Sequence, residues 1–137
     1  MICKITIRGK LTGLNEYTNA CRRNPYVGAN MKKRAQEFIG WQIPRDCKGL
    51  MLSGVTIRFA WFEKDRRRDE DNVKSAKKFL LDALVENRVI AGDGQRHIIQ
   101  LIDEPLQIDK GNPRVEIEIK TDKECPLNEN RAKSNRR

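Results

Sequence analysis

Residues 66–93 read RRRDEDNVKSAKKFLLDALVENRVIAGD, and they decide the fold because they state how one strand is joined to the next. Val73, Ala76, Leu80 and Leu84 recur at helical spacing, and Leu81, Ala83 and the stem of Lys77 widen the stripe. A helix is expected over about residues 71–87. Asp71 or Asn72 can cap it, because a short oxygen side chain accepts from the free N–H groups of the first turn. Lys74, Lys78 and Asp82 lie on the other side. Val89 and Ile90 read as a short apolar return. Ala91-Gly92-Asp93-Gly94 reads as a tight turn in which glycine is free to take positive φ.

Working outward, residues 51–62 (MLSGVTIRFAWF) set Val55, Ile57, Phe59 and Trp61 on one face of a strand and Thr56, Arg58, Ala60 and Phe62 on the other. This is the longest and most apolar strand candidate, so it is expected at the centre of the sheet. Residues 96–102 read as a further strand. Residues 113–120 alternate Val115, Ile117 and Ile119 against Glu116, Glu118 and Lys120, the pattern of a half-exposed edge strand. Residues 2–8 form a short strand with Cys3, Ile5 and Ile7 on one side. Residues 18–30, which include Arg22 and Arg23, read as a long polar connection, because Pro25 and Gly28 argue against regular structure. Asn30 then caps a helix that starts at Met31, carries Ala35, Phe38, Ile39 and Gln42 at helical spacing, and stops at Pro44. The expected architecture is α/β: a small mixed-sheet single domain over residues 1–120, order β-α-β-α-β-β, with a flexible basic tail over residues 121–137. Trp41 and Trp61 both lie in apolar patterns. They are expected in the core or an interface rather than as platforms for stacked bases.

The chain has 137 residues, 38% apolar and 34% charged, which suits one globular domain whose modest core a dimer would extend. A formal net charge of +9 draws it to polyanions. No apolar run approaches the roughly 18 residues of a membrane span, and no signal-peptide pattern is present, so a cytoplasmic protein is expected. Cys3, Cys21, Cys47 and Cys125 are far apart, without a CxxC pair, and His97 is the single histidine. Four reduced thiols are expected, and no zinc finger.

The acids carry the chemistry. Asp69 and Asp71 are two apart, so an extended backbone points both carboxylates the same way. Two such carboxylates repel unless a cation or a proton intervenes. The helix and its return bring the chain back towards its start with Asp93. Three oxygen donors of this kind suit Mg²⁺ or Mn²⁺, hard cations that keep waters and bind phosphate. Arg66, Arg67 and Arg68 abut the acids, as a site that attracts and cuts a phosphate backbone requires. Asp71, Lys74, Lys78 and Asp82 share one helix face, where a lysine can meet a phosphate or steady a carboxylate. The plain alternative is a capped helix start in a salt-bridged surface loop.

In order, RRRDEDN, KFLLDAL and VIAGDGQ, with GKLTGLNEY, RRNPYVGANMKK and the late KGNPRVEIEI, resemble the RusA-like Holliday junction resolvases, in particular their prophage branch. The resemblance runs over about residues 2–120. It implies a homodimeric endodeoxyribonuclease of small mixed α/β fold, encoded by a phage or prophage and acting in a bacterial cytoplasm. Such an enzyme uses Mg²⁺, or Mn²⁺ in its place, to nick opposing strands of a four-way junction symmetrically. A metal-activated water would leave a 5′-phosphate and a 3′-hydroxyl. The resemblance implies Asp69, Asp71 and Asp93 as metal ligands and catalytic residues. At the turn many members have two adjacent aspartates where this chain has Gly92-Asp93. A functional lysine often lies four residues beyond the second aspartate, where this chain has Ser75. Lys78 keeps the family's spacing before Asp82 and is assigned that role, with Lys74 as the fallback. A non-catalytic basic protein that binds nucleic acid, or a structural phage or nucleoid protein with a vestigial site, would need none of these acids.

Overall fold

The alternation read in the longest strand sets the architecture of the computed structural model, which describes residues 2–9, 14–67 and 73–121. Strand β2 (Val55–Glu63) buries Val55, Ile57, Phe59 and Trp61 on one face, as its period predicts. It lies inside a five-stranded mixed sheet ordered β1-β5-β2-β3, with β1 at Ile2–Arg8, β3 at Ile98–Asp103 and β5 at Arg114–Thr121. A two-residue strand, β4 (Gln107–Ile108), continues the β3 side and pairs with the far end of β2. β3 and β4 run parallel to β2, whereas β5 runs antiparallel to both β1 and β2.

Among the described residues the apolar face carries a helical layer of α1 (Leu14–Arg23), which packs on α2 (Pro25–Gln42), and α3 (Lys77–Glu86). α3 buries Phe79, Leu80, Ala83 and Leu84, and Val73 and Ala76 before it are also buried. The opposite face of the sheet is bare and charged. There Lys4 and Glu118 approach to 4.0 Å, and Arg58 pairs with Glu104.

Residues 18–30 are not a loop. α1 runs through Arg23 and α2 begins at Pro25, so the order gains a helix. Proline costs nothing at the first helical position, because the N–H it lacks would have no partner there. Asn24, not Asn30, is the cap: its side-chain oxygen accepts from the Tyr26 N–H at 2.8 Å. Gly28 serves close packing, since a Cβ there would collide with the Cys21 sulfur of α1. α2 ends at Gln42, ahead of Pro44 as expected. The Gln42 amide accepts from Arg8 N at 2.7 Å and donates to Arg8 O at 3.1 Å, tying the helix to the end of β1.

Two other expectations fail. β5 is half-exposed but not an edge, because β1 and β2 flank it; β1 and β3 are the outer strands. Cys3 of β1 and Cys47 of a short 3₁₀ helix (Arg45–Cys47) form a disulfide rather than two free thiols, with Cα atoms 6.5 Å apart and a sequence separation of 44. Cys21 is free. Cys125 and the expected tail after Thr121 lie outside the described residues, as do Asp71 and Asn72, the expected caps of the third helix. No helix among the described residues is long and apolar enough to cross a membrane.

Candidate functional site

Strand β3 ends at Asp103, opposite the middle of β2, which runs on to Glu63 beside β4; in open α/β sheets ligands bind beyond the carboxyl ends of parallel strands. α3 starts there. Asp103, the last residue of β3, sits opposite Phe59 in the register. Its carboxylate accepts from Lys77 Nζ at 2.5 Å and from Trp61 Nε1 at 3.2 Å. The Lys77 ammonium also lies 5.8 Å from the centre of the Phe59 ring. The two charged side chains are only 25% and 26% exposed, so this is a half-buried ion pair set on an aromatic floor. Residues 68–72 lie outside the described residues; they are flanked in sequence by Arg67, four residues past β2, and by the buried Val73.

Sequence reasoning missed both members of the pair. Lys77 was read only as an aliphatic stem on the buried stripe, and its stem does run inward while its charge ends on Asp103. Asp103 reads as the first residue of the polar connection that follows the strand at 96–102. Its role appears only once β3 is known to lie parallel to β2, which no local pattern states.

The expected site residues fall in three places. Asp69 and Asp71 lie outside the described residues. Lys78 is 76% exposed and stands 3.9 Å from Asp82, which is also 3.9 Å from Lys32 of α2. Lys78 thus belongs to a surface ion-pair cluster between α2 and α3. Lys74 is half-buried before α3. Asp93 is exposed at the opposite end of the helix. There Ala91 N–H donates to Leu52 O at 2.8 Å and Val55 N–H donates to His97 O at 2.9 Å, close to the start of β2.

The ten residues of α3 span about 15 Å, so one protomer does not bring Asp93 to Lys78 or to the Lys77–Asp103 pair. The turn around Asp93 is built for its own contacts. Gly92 does not have positive φ. It is required because a Cβ would stand 2.7 Å from the His97 ring, which Ser53 Oγ meets at 2.9 Å.

Among the described residues no group of three His, Cys, Asp or Glu side chains is placed to hold a metal ion. The expected ligands are carboxylates, whose hard oxygens match Mg²⁺ or Mn²⁺ in kind. No protein-family model matches the chain, and no curated protein matches it.

Proposed function

We propose that this chain is a divalent-metal-dependent endodeoxyribonuclease that resolves four-way DNA junctions by paired nicks. One observation carries the reading. Lys77 and Asp103 form a half-buried ion pair at the carboxyl end of β3, and Lys77 lies five residues after the Asp69-Glu70-Asp71-Asn72 segment in sequence. A basic chain supplies the attraction for the DNA backbone, and the acids supply the hard ligands. Asp69 and Asp71 would hold the ion from one protomer. When bound, Mg²⁺ or Mn²⁺ would supply a water of lowered pKa and neutralise charge on the phosphate under attack. Asp103 holds the Lys77 ammonium in place at the carboxyl end of β3. Lys77 therefore joins Lys78 and Lys74 as a candidate for meeting the phosphate.

The distance of Asp93 bears on the oligomer. If Asp93 is the third ligand, it comes from a second protomer. β3 is an outer strand with Ile99 and Leu101 exposed along it. Two-fold antiparallel contact along that edge would set the Asp93 end of each protomer against the carboxyl ends of the other's strands. Such a homodimer carries two sites for two DNA strands.

The test is cleavage of a mobile four-way junction, compared with a linear duplex of the same sequence, with and without Mg²⁺. Asp71→Asn should abolish cleavage and keep or tighten junction binding, since a charge that repels phosphate is removed. Normal cutting by that variant would end the assignment of the site.

A further inference from the structure

We infer that the outer face of α2 is a contact surface for unpaired bases of a nucleic acid strand, with Trp41 as its stacking platform. The inference rests on the reading that this chain acts on nucleic acid, and not on whether it cleaves it. Both tryptophans were expected in the core or an interface. Trp61 is there, 2% exposed, but Trp41 is 88% exposed. Arg34, Phe38 and Trp41 stand at offsets of 0, 4 and 7 on α2 and so share one helix face, and Phe38 is also exposed.

The charge is placed to match. Residues 17–48 hold seven Lys or Arg and two acids, whereas residues 77–121 hold seven and eight. The layer that contains α2 is therefore strongly basic, with five more Lys or Arg than acids over residues 17–48. Lys33 and Arg34 make no ion pair among the described residues and remain available to phosphate. A base offers a flat π face to an indole whatever its identity, while neighbouring cations follow the backbone, which is how single strands are bound without sequence preference.

A second copy of the chain fits this face less well. Two-fold contact would lay the basic layer of α1 and α2, five more Lys or Arg than acids over residues 17–48, against its own copy.

The experiment titrates the full chain with a short oligothymidylate at low salt. It follows tryptophan emission, and separately the anisotropy of a labelled oligonucleotide. Because Trp41 is so exposed, its variants should fold as the parent does. The parent should be quenched on binding. Trp41→Phe should bind within about twofold of the parent but lose the quench, since a phenyl ring still stacks. Trp41→Ala should bind on the order of ten- to a hundredfold more weakly. Arg34→Gln should flatten the log–log salt dependence by roughly one unit. Binding by the parent with unchanged emission, together with undiminished binding by Trp41→Ala, would overturn the inference and leave nucleic-acid binding intact. So would a Trp41→Ala variant that dissociates a dimer with no change in affinity, which would make the face a subunit interface. A parent that binds no nucleic acid at all would remove both this inference and the reading beneath it.

Discussion

The separation of Asp93 from the start of α3 gives a test by mixing protomers. A carboxylate ligand of Mg²⁺ must bring an oxygen to about 2.0–2.1 Å from the ion. Along one protomer, α3 alone puts about 15 Å between its two ends, and Asp93 lies past the far end. The two residues from Val73 back to Asp71 reach at most about 7 Å, roughly half that gap. Sliding α3 to close it would expose Phe79, Leu80, Ala83 and Leu84, all buried. Asp71→Asn and Asp93→Asn should each be inactive as pure proteins. Mixed in equal amounts and allowed to exchange, half of the dimers pair one variant with the other. If Asp93 acts across the interface, both defects fall in the same site and the other site is intact. Nicking should then return to about a quarter of the wild-type rate per site pair, as single nicks without paired resolution. The assay is a supercoiled cruciform plasmid, on which one nick gives the relaxed circle and paired cuts give the linear form. Differently tagged protomers confirm the exchange. A mixture that contains heterodimers yet stays as inactive as its parts would refute an Asp93 shared across the dimer.

Other outcomes follow from single contacts. Asp103→Asn preserves the acceptor for the Trp61 indole but removes the charge facing Lys77. It should cost about 1–2 kcal/mol in urea unfolding, the half-exposed share of what an uncompensated buried charge costs, and Lys77→Met in the same chain should recover most of that loss. A double-mutant coupling near zero would mean that the pair is solvated. The Cys3–Cys47 bridge closes a loop of some 45 residues, so reduction should lower stability by up to about 4 kcal/mol. A thiol assay on unfolded protein should find two fewer thiols before reduction than after it. Gly28→Ala should push α1 off α2 and cost about 1–3 kcal/mol, as overpacking does, read as a lower midpoint in thermal unfolding by circular dichroism.

Faces were legible in the sequence, and neighbours were not. Period-two alternation named the buried residues of β2 and β5 because side-chain direction is fixed along a strand whatever lies beside it. The same alternation is identical for an edge strand and for an inner strand with one bare face, so β5 was read as an edge. The stripe Val73, Ala76, Leu80 and Leu84 was legible for the same reason; Phe79, beside it, is also buried in the core and meets Tyr17 of α1, ring centres 5.4 Å apart. Pro25 misled because its effect depends on position: inside a helix it breaks hydrogen bonds, and at the first turn it is neutral. The disulfide and the Lys77–Asp103 pair join residues 44 and 26 positions apart, contacts that only chain topology creates. Trp41 lies among apolar residues in sequence, yet helical phase turns it away from Ala35 and Ile39 and into solvent.

The Lys77–Asp103 pair is better explained by function than by stability. Two well-packed apolar side chains of similar volume at that place would hold α3 against the sheet as well or better, because taking a lysine and an aspartate three-quarters out of water costs much of what their attraction returns. Among the described residues no charged group is fully buried. Arg114, 16% exposed, is likewise held by Asp109 and Glu116 over the Phe62 ring, but Lys77 is the one that stands close in sequence to the acidic segment. An ammonium held by a carboxylate and screened by Phe59 and Trp61 is a fixed charge of known position, whereas the exposed Lys78 is a mobile one. A site that must order carboxylates and phosphate together has use for the fixed charge. Lys77→Met is therefore expected to impair cleavage even in the Asp103→Leu background that restores stability, whereas Lys78→Met should change mainly how cleavage depends on salt.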